Sequence, residues 1–305
     1  MKGLTLKHFR YFAALAQHRH FGRAAEACAI SQPALSLQIK ELEEMLGAPL
    51  VERDRRQVRL TGLGDVLAER AGEILRAVEE VGDLARGSRD DLSGPFRLGI
   101  IPTIAPYLLP DILKRLTERF PRLDIHVRET VTPRLADEIR SGRLDAAILA
   151  LPLSEPSFVE VELLSESFMF VRPLEDADKP VPDGQALQKM KLLLLEEGHC
   201  FRDQALSFCN IDAPQTRDLM DGSSLSTLVQ MVGAGIGVTL IPEMAIRVET
   251  RSAPVSVARF RDPEPMRTIG MTWRKTNPLE QQLRTVSEIV REAALDLRGQ
   301  QATPP

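Results

Sequence analysis

The chain has 305 residues, 43% of them hydrophobic and 27% charged, with a formal net charge of −4. These values describe a folded protein of two or three domains and exclude a disordered chain. No apolar run approaches membrane-spanning length, and "MKGLTLKHFRYF" has no signal-peptide h-region, so a cytoplasmic protein without a membrane partner is expected. Thiols stay reduced in that compartment, where a cysteine pair is more often catalytic, redox-active or metal-binding than structural. The charge is uneven. Residues 1–62 carry ten Lys or Arg against six Asp or Glu, while the rest carries 29 against 37. A basic end on an acidic body points to nucleic acid as the partner of that end.

Leu6, Phe9, Phe12, Ala13 and Ala16 recur at three- and four-residue steps and predict a first amphipathic helix. "HFGRAAEACAI" predicts a short second one, in which Cys28 reads as a small buried hydrophobe. In "SQPALSLQIKELEEMLG", Ser31 is the N-cap, Pro33 sits in the first turn, and Gly47 ends a third helix. Leu35, Ile39, Leu42 and Leu46 form its buried stripe, leaving Gln32, Ser36 and Lys40 on the outer face. Two short helices joined by a tight turn, with a polar face on the second, describe a helix-turn-helix. "LVERDRRQVRLTGLG" then alternates like a hairpin. Its Arg53, Arg55, Arg56 and Arg59 suit phosphate contacts beside a groove.

The segment "FGRAAEACAISQPALSLQIKELEEMLGAPLVER" resembles the winged helix-turn-helix of LysR-type transcriptional regulators. The resemblance covers residues 4–62. It implies binding of double-stranded promoter DNA through Ser31, Gln32, Pro33, Ser36 and Lys40, with Arg53, Arg55 and Arg56 on the backbone.

Beyond it, Leu63, Leu67, Ala71, Ile74, Val78, Val81 and Ala85 repeat at a mean spacing near 3.5, the seam of a coiled coil that would pair two copies. "GSRDDLSGP" reads as a linker. After Pro95, "FRLGII", "LDIHVRE", "LDAAILAL", "FMFVRP", "KLLLL", "VTLIP" and "MRTIGMTW" read as strands. They alternate with helices such as "APYLLPDILKRLTERF", "PRLADEIRSG" and "SSLSTLVQMVGAG". That order predicts an α/β body with largely parallel sheets. "GAGIGV" is not a dinucleotide loop, because it lacks the third glycine and runs from helix to strand. His126 reads as a strand residue without a special role, and Trp273 as core. In such sheets ligands bind beyond strand ends near helix N-termini, which singles out Thr103, Thr132 and Cys200.

From the residues alone, Cys200 and Cys209 fit two inert core thiols as well as a redox pair. A metal site with His199 lacks a fourth ligand, so neither a metal nor a cofactor is expected. The motifs "GHCFRDQALSFC", "IPTIAPYLLP" and "RTIG" resemble those of OxyR-type peroxide sensors within the LysR family. The resemblance implies hydrogen peroxide as effector, Cys200 as the peroxide-reactive thiol and Cys209 as its resolving partner. It also implies a pocket of Thr103, Thr132, His199 and Arg267, with Arg202 and Asp203 beside it. A thiol that attacks peroxide does so as the thiolate, which cationic neighbours and helix N-termini favour.

The expected fold is α/β with an all-α-type winged helix-turn-helix over 1–62, a linker helix over 63–92 that pairs two copies, and a regulatory domain over 93–305. That domain is two-lobed and periplasmic-binding-protein-like, with lobe I at 93–166 and 269–305 and lobe II at 167–268. The resemblance further implies a homotetramer, RNA polymerase as a partner and a thiol reductant that resets the disulfide. Two rivals remain: a LysR-type regulator sensing a small organic acid, and a thiol peroxidase. The first sixty residues count against the second, and a non-enzyme is expected.

Overall fold

A computed structural model of the chain describes residues 3–53, 58–87, 92–209 and 220–301. The chain forms two compact units, Met1–Ala85 and Arg86–Pro305.

In the first unit α1 (Leu6–His18), α2 (Phe21–Ala27) and α3 (Gln32–Leu46) precede the strands β1 (Val51–Arg53) and β2 (Val58–Leu60). Local signals set these limits. The Thr5 N–H donates to His8 Nδ1 at 3.1 Å at the start of α1. Ser31 Oγ accepts the Ala34 N–H at 3.4 Å, Pro33 occupies the first turn of α3, and Gly47 ends that helix in the left-handed region at φ 71°. Leu35, Ile39 and Leu42 are buried together with Phe12, Leu15, Ala24 and Leu50. Leu46 is half-buried, and Leu6, predicted on the inner face of α1, is exposed. Glu43 Oε1 accepts the N–H groups of Leu50 and Val51 at 2.8 and 3.1 Å, tying α3 to β1. The two strands pair antiparallel, with Val51 opposite Leu60. Arg55, Arg56 and the side chain of Arg53 lie outside the described residues.

Helix α4 (Gly62–Gly87) carries the apolar seam. Leu67 packs on the core of its own unit and Ala71 is buried, whereas Leu63, Ile74, Val78 and Val81 are exposed. Ala85 has its side chain outside the described residues.

In the second unit β3 (Gly94–Ile100), α5 (Ala105–Arg119), β4 (Leu123–Glu129), α6 (Thr132–Arg140) and β5 (Ala146–Leu151) alternate as predicted. Strand β3 lies parallel between β4 and β5. Four antiparallel pairings correct the expectation of largely parallel sheets. Strand β6 (Phe158–Pro173) runs antiparallel to β11 (Met266–Arg274) through Ser167. From Phe168 onward it pairs antiparallel with β9 (Thr239–Pro242) and β10 (Val255–Arg259). Strand β11 also pairs antiparallel with β5. One long strand therefore serves both lobes, and β11 closes the first lobe by returning beside it. Sequence reading found only the apolar end of β6, because Glu160, Glu162 and Glu166 interrupt the apolar run.

The second lobe adds α7 (Gly184–Leu187), a parallel pair of β7 (Leu193–Leu195) and β8 (Met220–Gly222), α8 (Cys200–Phe208), α9 (Leu225–Gly233) and α10 (Ile246–Glu249). A final helix α11 (Glu280–Gln301), not singled out in the sequence, buries Leu283, Val286, Val290 and Ala294 in the core. Trp273 is fully buried, and His126 is exposed on β4 beside Asp124 at 2.9 Å. Among the described residues no helix is long and apolar enough to cross a membrane.

Candidate functional site

Three strand ends feed three helices. Strand β3 leads through Ile101, Pro102 and Thr103 into α5. Strand β4 leads through Thr130 and Val131 into α6, whose first residue is Thr132. Strand β7 leads through Gly198 and His199 into α8, whose first residue is Cys200. Gly198 adopts φ 93°, a backbone conformation that side chains with a Cβ avoid, so the sharp entry to α8 depends on glycine there.

The three entries meet in a narrow pocket, too tight as packed to admit a water-sized sphere, lined by Ile101, Thr103, Val131, Thr132, His199, Cys200 and Phe201. Thr103 is buried, and its Oγ accepts from Arg267 Nη1 at 2.8 Å. The Oγ of Thr132 is buried and forms no hydrogen bond within the protein. A buried hydroxyl without a partner carries a desolvation cost, and a small polar ligand in the pocket would remove it. Cys200 is half-buried at the positive end of the α8 dipole. Burial holds the His199 imidazole below its ordinary pKa, against a smaller opposing effect of Glu196. That shift favours the neutral imidazole as the polar neighbour of Cys200.

Arg202 and Asp203 are placed otherwise than the motif implied. Arg202 is buried and its Nη1 donates to the Leu195 carbonyl at 2.8 Å, anchoring α8 to β7. Asp203 is exposed. Neither side chain lines the pocket. Arg267 does not line it either but stands directly behind Thr103, fully buried, with its guanidinium 5.5 Å from the Phe201 ring.

Cys200 and Cys209 are free thiols at opposite ends of α8. Cys209 is completely buried, which pushes its thiol up to about 11, and its carbonyl accepts from Gln188 Nε2 at 2.6 Å. Cys28 is half-buried at the end of α2, and burial raises its pKa as well.

A larger cleft of about 320 Å³ adjoins the pocket and shares Thr103, Val131 and His199 with it. Glu129, Tyr107 and Glu249 line it, together with Ser223, Ser224 and Ser226, and among the described residues no Lys or Arg does. Tyr107 Oη donates to Glu249 Oε1 at 2.6 Å, and burial, followed by this bond, raises the tyrosine pKa; Ser226 Oγ donates to Glu249 Oε2 at 2.5 Å. Sequence reasoning missed Tyr107, Glu249 and Glu166, since carboxylates far apart in the chain carry no local sign of burial. Among the described residues no group of three or more His, Cys, Asp or Glu could hold a metal ion.

At the DNA-binding end, Ser31, Gln32, Pro33 and Lys40 are exposed and Ser36 is half-buried. Lys40 lies 3.5 Å from Glu44 in a solvent-exposed pair of little energetic weight.

Residues 6–65 match the model of the bacterial regulatory helix-turn-helix protein of the lysR family, and residues 89–295 match the LysR substrate binding domain. The chain is 43% identical over 298 residues to a probable hydrogen peroxide-inducible genes activator of Streptomyces viridosporus, covering 96% of this chain and 95% of that one. It is 40% identical over 291 residues to the DNA-binding transcriptional dual regulator OxyR of Escherichia coli (strain K12), covering 94% and 95%. Among solved structures, a full-length OxyR variant from Pseudomonas aeruginosa aligns with a TM-score of 0.75 at 36% identity, covering 95% of this chain and 96% of that one. A hydrogen peroxide-bound OxyR variant from Corynebacterium glutamicum aligns with a TM-score of 0.68 at 35% identity, covering 98% and 95%. The chain belongs to the LysR family of bacterial regulators, in the branch of the OxyR-type hydrogen peroxide-inducible genes activators.

Proposed function

We propose that the protein is a peroxide-sensing transcriptional regulator in which Cys200 reacts with hydrogen peroxide and Cys209 closes a disulfide. The observation that carries this reading is the pocket itself. A thiol at a helix N-terminus shares a pocket with two threonines, one buried and bonded to a buried arginine, the other half-buried with its hydroxyl buried and without a protein partner, while the second thiol waits at the far end of the same helix. Threonine hydroxyls both donate and accept, which suits a ligand with two adjoining hydroxyl groups. The Cys200 sulfur bonds to one peroxide oxygen, the O–O bond breaks, and the other oxygen leaves as hydroxide and takes up a proton to become water. The Cys209 sulfur then displaces the oxygen of the sulfenic acid, releasing a second water and forming the disulfide. A thiol reductant reverses the change. The organic-acid reading is disfavoured by the cleft, which Glu129 and Glu249 line and where no lysine or arginine among the described residues stands to hold a carboxylate.

The output is promoter DNA, read through Gln32 and its neighbours at the start of α3. Two copies pair along the exposed row of Leu63, Ile74, Val78 and Val81 on α4 and assemble further into a homotetramer that engages RNA polymerase. One equivalent of peroxide followed by mass spectrometry of non-reduced peptides tests the chemistry. A Cys200–Cys209 linkage supports it, and two unmodified thiols reject it.

Thr132→Val should separate function from fold. No hydrogen bond within the protein is lost, so thermal stability should hold or rise, yet oxidation of Cys200 should slow. Loss of one hydrogen bond that strengthens in the transition state costs about 1.5–3 kcal/mol, roughly ten- to a hundredfold in rate. An unchanged second-order rate constant with peroxide removes Thr132 from the site.

Division of labour at the DNA is testable by two substitutions. Gln32→Ala should relax base discrimination by about 1–3 kcal/mol at one position of the operator. Arg55→Ala should weaken all sequences alike and reduce the salt slope by roughly one. Equal losses on operator and random DNA from both changes would sink that division.

A further inference from the structure

Glu166 lies outside the peroxide pocket and belongs to no motif singled out above, yet it holds the arginine behind the pocket. It is 3% exposed on β6, and the Arg267 side chain is fully buried. Its Oε1 accepts from Arg267 Nε at 2.9 Å and lies 2.8 Å from Nη2, while its Oε2 accepts the Met244 N–H at 2.9 Å. The carboxylate is thus fixed on one side by backbone and on the other by the guanidinium. Arg267 in turn donates Nη1 to Thr103 Oγ at 2.8 Å and Nη2 to the Thr103 carbonyl at 3.0 Å.

A guanidinium has donors only, so Thr103 Oγ must accept from it. The single hydroxyl hydrogen of Thr103 is then directed elsewhere, and this side chain borders the pocket that contains Cys200. We propose that Glu166 is a positioning residue for the peroxide reaction. By immobilising Arg267, it sets the polarity of the Thr103 hydroxyl as a donor toward the departing peroxide oxygen. The proposal rests on the reading of Thr103 as a peroxide-binding residue. As the Cys200 sulfur bonds to the nearer oxygen, the electron pair of the breaking O–O bond moves to the farther one, which leaves as hydroxide and is protonated to water. A donor already oriented toward that oxygen stabilises the charge as it develops and needs no reorganisation during the step. Without the carboxylate, the guanidinium loses the partner that fixes its plane, and the hydroxyl is free to turn.

The test is a double-mutant cycle on the reduced full-length protein with Glu166→Gln, Thr103→Val and the pair. Cys200 oxidation by hydrogen peroxide is timed beside its alkylation by iodoacetamide, which has no leaving peroxide oxygen to receive the hydrogen bond. Glu166→Gln should slow peroxide oxidation about ten- to a hundredfold and alkylation by less than about threefold, and should cost less than about threefold once Thr103 is valine. Equal slowing of both reactions overturns the proposal, since it marks a general change at the thiol. Full additivity with Thr103→Val also overturns it and leaves the peroxide pocket standing. A Thr103→Val protein that reacts at the normal rate overturns both. If Glu166→Gln does not fold, Glu166→Asp, which keeps the charge but withdraws it by one methylene, is carried through the same cycle under the same criteria.

Discussion

A Cys200→Ser protein is expected to keep its fold and its DNA affinity and to lose its peroxide response completely. Serine differs from cysteine by one atom, and a half-buried site absorbs that change within about 1 kcal/mol. The hydroxyl cannot form a sulfenic acid, so no later step has a substrate. Nor can Cys209 take over. It is completely buried, and with its thiol pushed up to about 11, roughly one molecule in ten thousand carries the thiolate at pH 7. Cys28, in the DNA-binding unit, has its pKa raised by burial too. The companion Cys209→Ser should differ in kind. It should still react with one equivalent of peroxide, hold the sulfenic acid as a mass gain of one oxygen on the Cys200 peptide, and pass to sulfinic acid when peroxide is in excess. Promoter binding and transcription in vitro, with and without peroxide, give the readout. A peroxide response that survives in Cys200→Ser would transfer sensing to another group and reject the assignment.

The parts of the site that were legible in the sequence are those encoded by neighbouring residues. Ser31, Pro33 and Gly47 bracket α3 by capping chemistry, and Leu35, Ile39 and Leu42 give it a buried face. Thr103, Thr132 and Cys200 stand where strands end and helices begin, a position that α/β folds use for ligands. Arg202 shows the limit of such reading. It adjoins Cys200 in the motif, but successive helical residues turn by about 100°, so two steps carry its side chain to the far side of α8, onto the Leu195 carbonyl. Glu166 shows another limit. A glutamate in a strand reads as solvent-facing, and its burial follows only from Arg267, 101 residues away on a strand whose antiparallel pairing no local pattern specifies. The apolar row on α4 was legible as a repeat, whereas the inward turn of Leu67 and Ala71 was not, because the same helix packs part of that row on its own unit and leaves the rest exposed.

The oxidised protein is expected to have lost α8. Nine residues of intact helix separate the Cα atoms of Cys200 and Cys209 by about 13 Å, and a disulfide needs them within roughly 7 Å. The helix is held at both ends. Phe201 packs on Phe168 at 4.7 Å near the start, and Phe208 packs on Phe260 at 5.0 Å near the finish. Gln188 Nε2 donates to the Cys209 carbonyl, and at Gly184 the backbone comes so near that an added Cβ would lie 2.6 Å from the Phe208 carbonyl oxygen. Bridging would have to undo these contacts, and on the proposed chemistry α8 would be a locally unfolding switch trapped by a covalent bond. Hydrogen exchange should therefore find residues 201–209 protected in the reduced protein and rapidly exchanging in the disulfide form. Loosening the far end should speed the second chemical step alone. Phe208→Ala removes a half-buried aromatic pair worth about 1–3 kcal/mol, so disulfide closure should quicken roughly five- to 150-fold while the reaction with peroxide is unchanged. Gly184→Ala should act in the same direction by pushing α7 off the end of the helix. Alkaline pH should help as well. Burial raises the Cys209 thiol, so closed α8 holds it neutral, and that advantage of the closed helix, intact below the ordinary thiol value near 8.5, is lost as pH rises toward about 11. Between pH 7 and 8 thiolate formation in the opened segment alone speeds closure, about tenfold per pH unit, and easier opening adds to it only above about 8.5. A bridged protein that keeps slow exchange across residues 201–209, with a closure rate indifferent to Phe208→Ala and to pH, would show that the two sulfurs meet without unwinding the helix.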